Sequence, residues 1–166
     1  MTPALAKIFA HEAAIGEARA GIKLERTHHP FHWVLGWAMA GLGRNDEAIE
    51  ALRHATVLAP DEPISLSSLG WALGLAGCRQ EAITILSGLE EKRRTHEYVP
   101  CVYMALTSVG LGDTERAMAW LHEAEEERDP ELAFLNAWPF FDPLRSDPRF
   151  QALLRRMHFL ETASSG

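Results

Sequence analysis

Apolar residues Leu5, Ile8, Phe9, Ile15 and Ile22 recur at helical spacing, with no turn signal between Pro3 and Glu25. The pattern predicts one amphipathic helix, capped by Thr2 and carrying Pro3 in its first turn. From residue 29 the chain reads in pairs: an apolar-periodic stretch, a glycine-containing turn, then a second amphipathic stretch. The turns fall at Gly43-Arg44-Asn45, Gly77-Cys78-Arg79 and Gly112-Asp113-Thr114, with Asn45 and Thr114 as expected N-caps. Pro60, Pro63, Pro100 and Pro130 punctuate the joints between pairs. Asp129-Pro130 is expected to open a short helix reaching about Trp138, and Pro139 to Pro143 reads as a turn. Asp147-Pro148 starts a last helix with Phe150, Leu153, Leu154 and Met157 on one stripe.

The pairs repeat. Leu35-Gly36-Trp37-Ala38 and Leu69-Gly70-Trp71-Ala72 align without gaps at an offset of 34 residues. The same offset carries Gly43 onto Gly77, Glu47 onto Glu81, Ala48 onto Ala82, Ile49 onto Ile83 and Leu52 onto Leu86. A third copy follows with one residue inserted, and Gly112, Ala117 and Leu121 take the places of Gly77, Ala82 and Leu86. Small residues at Gly36, Gly70, Ala48, Ala82 and Ala117 fall where packed helices must approach most closely.

A 34-residue helix-turn-helix period with Leu-Gly in the first helix, Ala and Leu in the second and a closing Pro resembles the tetratricopeptide repeat. The resemblance covers roughly residues 29 to 130. It implies an all-α fold: a right-handed superhelical stack of helix pairs with an N-terminal helix and C-terminal capping helices. The division is an N-terminal helix over 1–28, repeats over 29–62, 63–97 and 98–130, and capping helices with a tail over 131–166. Arg94 stands where the second copy's closing Pro belongs, so that pair is expected to run longer, and Ala105 replaces the third copy's Gly. Ala14 lies 34 residues before Ala48, so the first helix reads as half of a repeat, as if the chain were cut from a longer protein. In the closing segment, Glu-Glu-Arg-Asp-Pro at 126–130 and Phe-Asp-Pro-Leu-Arg-Ser-Asp-Pro-Arg-Phe at 141–150 resemble the end of C-terminal tetratricopeptide modules in bacterial signalling proteins. Serine/threonine kinases, adenylyl cyclases and winged-helix regulators carry such modules. A terminal element of this kind covers the last repeat, and Ser164, Ser165 and Gly166 are expected to be disordered.

Charge and chemistry narrow the function. Sixteen basic residues against 23 acidic ones give a net charge of -7, which opposes nucleic-acid binding. Lys92, Arg93 and Arg94, and also Arg155 and Arg156, sit late in predicted helices, where cations complement the helix dipole. Charge or glycine interrupts every long apolar window and no signal-peptide pattern opens the chain, so the expectation is a cytoplasmic protein without membrane contact. Cys78 and Cys101 form no CxxC pair and read as ordinary thiols. Gly41-Leu42-Gly43 lacks the third glycine of a dinucleotide loop, and no GxxxxGK[ST] or GxSxG occurs. His11-Glu12 and His122-Glu123 lack the second histidine of a zincin helix. The expectation is a non-catalytic protein without a cofactor. His28, His29 and His32 are close enough in sequence to suggest a metal site, but no Cys, Asp or Glu is placed locally to complete it.

The family resemblance implies that first helices line a groove for polypeptide. Trp37 and Trp71 occupy equivalent places there, Trp33 lies one turn before Trp37, and Val102, Tyr103 and Leu106 form the matching face of the third copy. Lys, Arg and Asn, which the family uses to clamp chaperone carboxylates, are absent from these positions. The expected ligand is therefore an apolar or amphipathic segment of a partner protein. Leu35, Ala38, Leu69 and Ala72 already supply the inward stripe, which would leave the aromatic row exposed. Two alternatives stand beside this reading: the aromatics are core residues, or the groove belongs to a regulatory or spacer domain and is filled by the chain's own upstream region.

Overall fold

A computed structural model of the chain describes residues 2–159, the side chains of Pro3 and Ala4 excepted; the expectation for Ser164 to Gly166 lies outside the described residues. The described residues are all helix and connection, with no strand. Helix α1 spans Pro3–Leu24, and Thr2 caps it by accepting from the Leu5 N–H at 3.4 Å. It buries His11, Ile15 and Ala18 at helical spacing and packs against α2.

Three helix pairs follow: α2 (His29–Gly41) with α3 (Asn45–Leu58), α4 (Pro63–Leu75) with α5 (Arg79–Arg94), and α6 (Cys101–Gly110) with α7 (Thr114–Glu127). The three first helices end the same way. Gly43, Gly77 and Gly112 have φ of +74°, +80° and +71°, a left-handed conformation that glycine adopts without a Cβ penalty. In each, the residue after the glycine donates back to the last turn: Arg44 to Met39 O, Cys78 to Leu73 O and Asp113 to Ser108 O, at 2.9 to 3.0 Å. The glycine N–H bonds the second carbonyl, completing a Schellman closure. Capping differs from expectation. Asn45 and Thr114 are already helical, and the cap positions are Arg44 and Asp113; Asp113 alone of the two bonds forward, to the Arg116 N–H at 3.0 Å.

Small residues let the helices meet. A Cβ at Gly36 would lie 2.5 Å from Leu52 Cγ, and one at Gly70 would lie 2.7 Å from Thr107 Cγ2. Ala48, Ala82 and Ala117 are fully buried. Every residue of α6 is buried, consistent with its central place and its lack of charge, and Thr107 and Ser108 satisfy their hydroxyls on main-chain carbonyls.

The C-terminal segment contains two 3₁₀ helices, Pro130–Phe134 and Pro139–Leu144, and α8, Pro148–Arg156. The helix expected to reach Trp138 thus stops at Phe134, and the expected turn at Pro139 is helical, since a short 3₁₀ turn accommodates prolines that a longer α-helix rejects. Asp129 joins this cap to the stack: its carboxylate accepts from Val102 N at the start of α6 and from Glu131 N in the first 3₁₀ helix, at 3.3 and 3.0 Å. Phe150, Leu153 and Leu154 bury the α8 stripe, while Arg149 to Glu115 and Arg156 to Glu125 make paired bonds to α7.

Candidate functional site

The face made by α2, α4 and α6 is not open along its length. Trp71 is 7 % exposed, Tyr103 8 %, and Val102 and Leu106 are fully buried, whereas Trp33 and Trp37 are half-buried. The cover comes from the second 3₁₀ helix, which packs on α6 and sends Phe140 across the row. The Phe140 ring stands edge-on to Trp71 at 4.7 Å and lies 6.1 Å from Trp37 and 6.5 Å from Trp33. Trp138 adds a stacked contact on Tyr103 at 6.3 Å. The open groove expected over Trp71, Val102, Tyr103 and Leu106 is thus occupied by the chain's own downstream segment. The upstream helix does not fill it; α1 packs on α2, its His11 ring 5.0 Å from the Trp37 ring.

The cover rests on apolar burial. The cap buries Leu132, Leu135, Phe140, Phe141 and Leu144. At about 1.5–3 kcal/mol for each large apolar side chain, their burial is worth on the order of 10 kcal/mol.

What stays accessible is a slot at one edge of the row. Trp33, Val34 and Trp37 of α2 face Trp138, Pro139 and Phe140 of the cap around a cavity of about 240 Å³. No charged residue lines it. Trp33 is held in place by donating its indole N–H to Ser68 Oγ at 2.8 Å. The aromatic surface continues to Phe134, half-exposed and stacked on Trp138 at 5.5 Å. Trp138, Pro139 and Phe134 were not among the expected site residues; the aromatic density of the segment around Trp138-Pro139-Phe140-Phe141 was the available signal.

Residues 29–54 match the tetratricopeptide repeat. The match covers α2 and most of α3. No curated protein and no solved structure matches the chain. Tetratricopeptide repeats are generally protein-interaction modules and usually non-catalytic, and the all-helical, pairwise packing is consistent with such repeats. Among the described residues no helix is long and apolar enough to cross a membrane.

The other polar clusters have structural partners. His28, His29 and His32 do not form one ligand cluster: the His28 and His29 rings lie 6.3 Å apart and His28 also packs on Phe31 at 4.8 Å, while His32 approaches the Arg26 carbonyl at 3.0 Å and stacks on His54 at 5.6 Å. Among the described residues the one grouping with metal-ligand spacing is Cys101, Glu123 and Glu127. Arg93 already bonds both carboxylates, and burial pushes the Cys101 thiol up to about 12, which disfavours the thiolate a metal requires. A larger cavity of about 450 Å³ between α1, α2 and α3 has an apolar floor, including Leu35 and Met39, and a rim carrying both Arg19 and Glu47.

Proposed function

We propose that the chain is a non-catalytic interaction module of three repeats, 29–62, 63–97 and 98–130, that holds an apolar segment of a protein partner. The supporting observation is the slot, where half-buried Trp33, Trp37 and Trp138 line an uncharged cavity beside exposed Phe134. Clustered exposed aromatic surface is characteristic of interaction sites, and tryptophan is enriched among residues that dominate binding energy. Selection of a displayed peptide library on the intact chain tests this reading. Selected sequences are expected to be apolar and to lose roughly 2 kcal/mol or more of binding energy in Trp37→Ala, with the helical spectrum retained. Failure to select a sequence, or binding indifferent to Trp37→Ala, would overturn it.

A second reading is a spacer or regulatory module within a bacterial signalling protein. It draws on the filled face over Trp71 and on the outer side of α1, where Leu5, Ile8 and Phe9 are exposed. In that case Trp37→Ala changes stability and leaves partner binding unaltered.

A further inference from the structure

Helix α1 is apolar on two opposite faces. One carries His11, Ile15 and Ala18 and is buried against α2. At 3.6 residues per turn, Leu5, Phe9, Ala13, Gly16, Ala20 and Leu24 fall within about a third of the circumference on the other side, and all six are exposed. Phe9 is 62 % exposed and Leu24 90 %, and a Cβ at Gly16 would meet nothing within 4 Å, so the described chain leaves the middle of this stripe uncovered. A surface helix with a single packed face turns charged and polar residues outward. Here they sit on the flanks instead, Glu12 and Arg19 on one and Glu17 on the other. Lys7 bonds Asp142 of the cap, so the stripe is carried by a helix held to its own stack.

The stripe is complementary to itself when two copies run antiparallel. It extends about 29 Å at 1.5 Å per residue, and a two-fold axis between positions 14 and 15 sets Leu5 opposite the second copy's Leu24, Phe9 opposite Ala20 and Ala13 opposite Gly16. The bulky Phe9 ring thus meets a small residue, and Ala13 with Gly16 lets the axes approach to about 8 Å where they cross. An antiparallel pair brings like flanks together, so Glu12 of each copy comes within about half a turn of the other's Arg19. Two reciprocal ion pairs result. Among the described residues neither group makes an ion pair within its own chain. Their neighbours of opposite charge on α3, Arg44 and Glu47, are bonded to each other at 2.7 Å. A lipid surface suits the stripe less well: Glu12 and Glu17 lie on its flanks and the net charge is -7, which anionic headgroups repel. Two stripes of about 10 Å width cover on the order of 600 Å² together, below the roughly 1,200 Å² of standard interfaces, so the association is reversible.

We propose that two copies of the chain pair through antiparallel contact of their α1 helices, with Glu12 and Arg19 matched across the two-fold axis. No α1 residue lines the slot, so the proposal stands apart from the polypeptide-binding reading. The test is sedimentation equilibrium of the intact chain from micromolar to submillimolar concentration, where a monomer–dimer equilibrium is expected. Phe9→Glu places a charge in the stripe and should abolish the dimer. Because Phe9 is mostly exposed in the single chain, circular dichroism and melting temperature should stay at wild-type values in that variant at monomeric concentration. Glu12→Arg and Arg19→Glu, each alone, replace attraction by repulsion and should weaken the dimer about tenfold. Mixing these two variants restores opposite charges at both pairs, so native mass spectrometry should show the heterodimer in excess over either homodimer. A monomer at every concentration, a dimer indifferent to Phe9→Glu, or no preference for the heterodimer in the mixture overturns the proposal.

Discussion

At Gly110 a Cβ would lie 2.4 Å from the Trp71 carbonyl oxygen, and at Gly74 it would lie 2.4 Å from the Gly110 carbonyl carbon. Both obstacles are main chain, so they cannot rotate away, and α4 and α6 cross through this gap. Gly88, exposed within α5, would meet nothing within 4 Å. Gly110→Ala should therefore destabilise by about 1–3 kcal/mol, whereas Gly88→Ala should stabilise by about 0.4–1 kcal/mol. Urea unfolding of both variants checks the opposite signs; equal shifts would refute this account of the crossing. The turn glycines were legible because they recur. Gly74 was not, since Ala40 stands 34 residues earlier, and the need for a bare backbone arises from two helices meeting rather than from either helix's pattern.

Docking of α1 brings a buried imidazole into the stack. The His11 ring fits where Gly41 has no Cβ, a position at which added carbon would lie 2.3 Å from His11 Cε1. Burial, and then the nearby Lys7 ammonium, lower its pKa from the ordinary 6.5. The folded state favours neutral His11, while the unfolded chain takes up the proton more readily. Its contribution is therefore complete above the ordinary histidine range and declines as pH falls through 6.5 toward the lower folded value. Melting temperature should drop between pH 7.5 and about 5.5, and His11→Phe should reduce that drop. An unchanged pH dependence in the variant would sink the assignment. Glu115 and Glu125, held low by bonds from Arg149 and Arg156, lose their contributions only below 4.5, which separates the two effects. Of the stripe expected on α1, Ile15 is buried and Ile22 half-buried, whereas Leu5, Ile8 and Phe9 are exposed; the buried face runs through His11, Ile15 and Ala18, and the polar symbol at position 11 concealed a packing residue.

Across the whole molecule, the cap couples the repeats by resting on side chains from α2, α4 and α6 at once. Phe140→Ala would remove the ring that touches Trp33, Trp37 and Trp71, at a cost of about 3–5 kcal/mol. The expected result is a lower melting temperature with increased binding of an apolar dye; a variant as stable as wild type would show that the cap is dispensable. The 34-residue recurrence and its glycine turns were enough to establish an all-helical stack, because each helix advertises its apolar face and each turn needs a left-handed residue locally. The aromatic row was likewise visible in the order of residues. Which part of it stays open was not, because Phe140 meets Trp37 more than a hundred residues away and its 3₁₀ segment carries no 3.6-residue period to announce its face. Burial there depends on where the folded chain returns, and that return converts an expected long groove into a short slot.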